Sequence, residues 1–126
     1  MLTREQRYAA KVYDQICNIR DSSKSEKGFI DPKKYGALCH KLPVLIRTSG
    51  LTQALVFVQA RKEQVGKQLI GDLGQTIDQP NLIDVVKKAE LGPYMRLTQQ
   101  ALDALLWYKR FAQSELGVAH SGEEQD

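Results

Sequence analysis

Two histidines, two cysteines and one tryptophan are all that 126 residues supply of the side chains on which sites are often built. Their placement excludes more than their number does. His120 lies in a terminal stretch with no apolar neighbours to hold it, a poor support for a catalytic base. His40 follows Cys39 directly, and adjacent helical positions point about 100° apart, so the two form no catalytic pair. His40 reads instead as a partly exposed helix histidine. No His-x-x-x-His, Glu-x-x-His or cysteine cluster is present, so no metal is expected. Cys17 and Cys39 stand 22 residues apart without a Cys-x-x-Cys pairing, and read as buried, reduced thiols. The acids Asp72, Asp78, Asp84 and Glu90 are scattered over different segments and make no carboxylate pair. Neither glycine-rich phosphate loop occurs. No catalytic residue and no cofactor is therefore expected. Long apolar runs are missing too: nothing approaches the roughly 18 residues of a membrane span. Met1 leads straight into a charged helix, without the apolar core of a signal peptide, and the expected address is cytoplasmic.

What is present has the balance of a soluble globular domain, with 42% hydrophobic and 26% charged residues. No strand pattern survives. The expectation is an all-α fold, a single compact bundle of about six helices with a long C-terminal helix. Residues 1–117 would form the bundle, and 118–126 a disordered acidic tail with nothing to bury.

Thr3 with Gln6 predicts a capping box, opening a helix to about Arg20 whose apolar face is Tyr8, Ala9, Val12, Tyr13, Ile16 and Ile19. A polar loop follows at 21–28. Asp31-Pro32 predicts a second start, running through Lys41. Pro43 then predicts a kink or a fresh start, with a short helix over 44–48 halted at Gly50. Residues 51–61 read as helix despite the strand-like Val56-Phe57-Val58. Between 64 and 79 the apolar spacing is helical, but Gly66, Gly71 and Gly74 weaken it by about 1 kcal/mol each relative to Ala. A short helix after Pro80-Asn81 should end at Gly92-Pro93, before the last helix.

That last helix, Tyr94 to Leu116, has no Gly or Pro. Tyr94, Leu97, Ala101, Ala104, Leu105, Tyr108, Phe111 and Ala112 fall on one arc. Trp107 breaks the pattern by sitting among polar neighbours, and Leu106 is off the main arc as well. Either the helix is central to its bundle, or Trp107 and Leu106 with Lys109 and Arg110 form a contact surface.

The net charge of +3 conceals an asymmetry. Without the tail acids Glu123, Glu124 and Asp126, 18 Lys and Arg face 12 Asp and Glu, leaving a body of +6. This basic bias is compatible with a polyanion partner. Arg4, Arg7 and Lys11 fall along one side of the first helix, either as a solvated face or as a track for phosphates.

Two segments carry a family resemblance: KLPVLIRTSGLTQALVFV at 41–58 and YMRLTQQALDALLWYKRFA at 94–112. The opening REQRYAAKVYDQI has the same character. Together they resemble the small subunit of the Cmr-type, type III-B CRISPR effector complex. The resemblance implies a non-catalytic helical subunit in antiviral defence. On that resemblance, copies of it would stack along a ribonucleoprotein filament, beside other Cmr-type subunits, around guide RNA and target RNA. In such a subunit Lys and Arg side chains would sit on RNA phosphates, and charge, helical phase and location in the matching segments select Lys109, Arg110, Lys41 and Arg47 first, then Arg4, Arg7 and Lys11. Trp107 and Leu106 would meet the adjacent subunit, because a lone Trp makes a poor base platform. The alternative is a helical protein–protein adaptor without direct nucleic-acid contact. A helix-turn-helix reading of 51–74 offers only Lys67 and Gln68 as base readers.

Overall fold

Thr3 opens the first helix as its spacing predicts: its hydroxyl accepts from the Gln6 N–H, and the Gln6 side chain accepts from the Thr3 N–H. The computed structural model describes residues 1–22, 24–61 and 63–119, Glu63 by its backbone alone. Six helices form among the described residues: α1 (Arg4–Asp21), α2 (Pro32–Ser49), α3 (Leu51–Arg61), α4 (Glu63–Thr76), α5 (Leu82–Lys88) and α6 (Leu91–Glu115). No described residue is in a strand, and the fold is all-α with a long C-terminal helix.

Helix α6 is the axis of the packing, with α1 against one flank and α2 against another. Arg4 meets Asp103, Tyr13 meets Phe111 and Arg20 meets Glu115, so α1 and α6 point the same way. Helix α2 runs against them: His40 lies by Val118, beyond the end of α6, while the Tyr94 hydroxyl near its start accepts the Thr52 N–H at 3.0 Å. Helices α3, α4 and α5 close the other side. The core draws on every helix, including Val12, Ile16, Tyr35, Leu42, Leu51, Leu55, Leu69, Leu73, Leu82, Leu105 and Tyr108.

Four expectations need correction. The fresh start at Pro43 does not occur: α2 continues through it, with no separate helix over 44–48. An interior proline costs about 3 kcal/mol, but Leu38, Cys39, Leu42, Pro43 and Ile46 are all buried around it, and that burial outweighs the lost bond. Gly92-Pro93 does not precede the last helix; it forms its first turn. The first N–H groups of a helix have no partner inside it, so proline is tolerated there. Tyr13 is 42% exposed, outside the apolar face assigned to it. His40 is 2% exposed, not a surface residue, and its Nε2–H donates to the Val118 carbonyl at 2.7 Å.

That last contact alters the reading of the C-terminus. Gly117 takes φ +68°, the chain turns, and the Val118 N–H reaches the Ala112 carbonyl at 3.0 Å. The Val118 side chain then lies against Gly36 of α2. Val118 thus has something to bury. Residues 120–126, with His120 and the three tail acids, lie outside the described residues.

Two glycines have clear work. Gly50 closes α2 at φ +88°, a conformation that side chains disfavour. At Gly74 a Cβ would stand 2.5 Å from the Gln79 carbonyl oxygen, so the turn after α4 folds tightly only over a glycine.

A buried polar network joins four helices. Asp72 of α4 is 7% exposed and forms no ion pair among the described residues. Its carboxylate accepts from the Tyr35 hydroxyl at 2.6 Å and from the Gln68 amide at 2.9 Å. The Gln15 amide of α1 donates to the Asp72 carbonyl at 3.0 Å and to the Thr76 hydroxyl at 3.2 Å. Tyr108 of α6 completes the loop, its hydroxyl 3.0 Å from Thr76 Oγ1 and donating to the Gln15 carbonyl oxygen. Burial raises the Asp72 carboxyl above its ordinary value, against the pull of its two donors.

Candidate functional site

The basic residues singled out in the sequence divide into two populations. Those of α1 are largely spoken for. Arg4 pairs with Asp103 across the α1–α6 seam, and its guanidinium lies 5.4 Å from the Tyr8 ring centre. Lys11 reaches Asp78 at 3.2 Å, in the turn after α4. Arg7 donates to the Leu2 carbonyl at 3.1 Å. The ion pairs of Arg4 and Lys11 tie α1 to its neighbours, while the Arg7 bond is local.

Helix α2 presents the opposite case. Lys41 and Arg47 are exposed and form no ion pair among the described residues. Lys33 and Lys34, which sequence reasoning passed over, are exposed on the same helix. The reason lies in composition: from Pro32 to Arg61 there is no Asp or Glu at all. Burial of Tyr35, Leu38, Cys39, Leu42 and Ile46 turns the cations outward. Lys33 to Arg47 spans about 21 Å of helix at 1.5 Å per residue. The acid-free run was visible in the sequence, and was the signal that would have found Lys33 and Lys34.

Lys109 and Arg110 do not act as a pair. Consecutive helical positions diverge by about 100°, and Arg110 turns over Trp107, its guanidinium 4.9 Å from the ring centre. Lys109 is half-buried and points elsewhere. Nor is Trp107 a lone aromatic. It stacks on Phe111 with ring centres 5.8 Å apart at 27°, and Phe111 meets Tyr13 of α1 edge-on at 5.3 Å. The result is a strip of three rings across the α1–α6 seam, capped by Arg110. Leu106, 45% exposed, is on the same helix but outside the strip. The strip escaped sequence reasoning because Tyr13 and Phe111 are nearly a hundred residues apart. No group of three or more metal-ligating side chains occurs among the described residues, and none of their helices is long and apolar enough to cross a membrane.

This arrangement has close counterparts. The family model for CRISPR-associated protein (Cas_Cmr5) matches residues 4–115, from the first residue of α1 to the last of α6. The chain belongs to the Cmr5 family. It is 41% identical over 118 residues to the CRISPR system Cmr subunit Cmr5 of Thermus thermophilus, covering 90% of this chain and 96% of that protein. The crystal structure of a CRISPR-associated Cmr5 family protein from Thermus thermophilus matches with a TM-score of 0.80 at 36% identity. That match covers 92% of this chain and 99% of the other. The likeness first carried by residues 41–58 and 94–112 therefore extends over all six helices. Both basic regions lie inside the Cmr5 match.

Proposed function

We propose that this chain is a non-catalytic small subunit of a Cmr-type, type III-B CRISPR effector complex. The observation that carries the reading is coverage: the match takes in every helix here and 96% of a relative named as a Cmr subunit. In this role the protein assembles with other Cmr-type subunits and with copies of itself in a filament, contacts guide RNA and target RNA, and serves antiviral defence. It has no membrane partner.

Its contribution is electrostatic and geometric. Exposed Lys and Arg side chains neutralise RNA phosphates without reading bases, since sequence is read by guide pairing. Helix α2 leads in this respect. Lys41 and Arg47, joined by Lys33 and Lys34, form its RNA face because no acid competes for them. Arg110 and, on a different face, the half-buried Lys109 act separately from α6. Arg4, Arg7 and Lys11 rank below, since an RNA would first have to displace their own partners. Trp107 and Leu106 face a neighbouring subunit.

The test is recovery of the tagged protein from its native host, with sequencing of co-purified RNA and identification of proteins. Short CRISPR-derived RNAs together with large Cmr-type proteins are the expected result. Protein partners without guide RNA would instead support the helical adaptor.

A further inference from the structure

A cleft between the end of α5 and the first turns of α6 takes no part in the function above. It is an open groove of about 460 Å³, within the roughly 300–1,000 Å³ of small-ligand sites. Its wall is apolar where Val85 and Ala89 line it from the α5 side and Pro93 from α6. Two cations line the same cleft, Lys88 from the end of α5 and Arg96 from α6. Neither forms an ion pair among the described residues, although Glu90 lines the same cleft. The Arg96 guanidinium folds back along its own helix, with Nη1 3.9 Å from where a Cβ on Gly92 would stand. Gln79 and Gln100 add amide donors and acceptors at the sides.

We infer that this cleft binds the phosphate and base of a single nucleotide. Each part of the lining answers to a part of that ligand. A phosphate takes two cations, and the forked guanidinium matches its oxygens. A flat base covers the apolar wall of Val85, Ala89 and Pro93, which a bare inorganic anion would leave wet. The Glu90 carboxylate only accepts hydrogen bonds, which suits ribose hydroxyls and would repel a second phosphate. Amides suit a base edge. A divalent cation does not fit, because one carboxylate faces two positive side chains. The nucleotide is either free or one residue of an RNA strand. Arg96 lies 14 positions before Arg110, about 21 Å along the helix, so this site is separate from that end of α6. The inference does not depend on membership of an effector complex.

The experiment is titration of the full chain, followed by backbone amide chemical shifts, with AMP, inorganic phosphate and a hexanucleotide RNA as probes. AMP should produce saturable shifts at Gly92, Arg96 and Lys88 with a Kd of about 1 mM, and phosphate should bind at least about fivefold more weakly. Arg96→Ala and Lys88→Ala should each weaken AMP by about tenfold. Both side chains are exposed, so neither variant should disturb the fold. If the hexanucleotide shifts these amides and AMP does not, the ligand is a nucleotide within a strand, and the site stands. Phosphate binding as tightly as AMP would overturn the assignment. So would unchanged affinity in both variants, or the absence of saturable shifts with AMP and RNA alike.

Discussion

Helices α1 and α2 have equal length and carry four Lys or Arg each, yet their charges do different things. On α1, Arg4, Lys11 and Arg20 each meet an acid from another helix or turn: Asp103, Asp78 and Glu115. On α2 there is no acid, and none arrives from elsewhere among the described residues. Counting cations alone does not distinguish the two helices. Pairing does. A cation already matched inside its own fold must lose a partner before it holds a phosphate, and an unmatched one loses only water and counterions.

The comparison breaks most easily at a half-buried position of α1. Gln15 links α1 to Asp72, Thr76 and Tyr108, so Gln15→Ala strands polar groups in the core. A loss of about 2 kcal/mol is expected in denaturant unfolding. Lys41→Ala on α2 should stay within about 0.5 kcal/mol of the parent. Equal effects would mean that α1 is no more structural than α2.

The same network predicts a pH response. The folded Asp72 carboxyl sits above its unfolded value, so the folded chain holds that proton longer. The stabilisation is complete below the unfolded value and is lost as pH rises through the folded one. Unfolding at a series of pH values should therefore show wild type losing stability relative to Asp72→Asn from the ordinary carboxylate range upward, then levelling. A difference that is constant with pH would contradict the burial argument.

Smaller effects belong to the exposed ion pairs. Arg4→Ala and Lys11→Ala should each cost about 0.5 kcal/mol, less as salt increases. Thermal unfolding at low and high salt reads this directly.

Much of the fold was legible because local chemistry agrees with it. The Thr3 capping box, Asp31-Pro32 at the start of α2 and Gly50 at its end all behave as their residue types dictate. The misreadings share a cause. At Pro43 and at Gly92-Pro93 the local rule favours a break, but packing and position within the helix decide otherwise. His40 looked exposed because the residue that covers it, Val118, is 78 positions away. Asp72 was set aside as one of several scattered acids because nothing local marks a buried carboxylate. The candidate site was legible in kind, as helical cations, and only partly in membership. Lys41 and Arg47 stand out in both sequence and structure. The partners of Arg4 and Lys11 are 99 and 67 residues distant, beyond any helical pattern.

The most direct measurement compares two charge reversals in the assembled effector complex: Lys41→Glu with Arg47→Glu on α2, and Arg4→Glu with Lys11→Glu on α1. Target-RNA affinity would be followed across salt concentrations, with unfolding measured alongside. The account predicts that the α2 pair weakens binding and lowers the salt slope by about 1 for each phosphate no longer neutralised. The α1 pair should lower stability and leave that slope unchanged. An unchanged slope for α2, with a reduced one for α1, would contradict it.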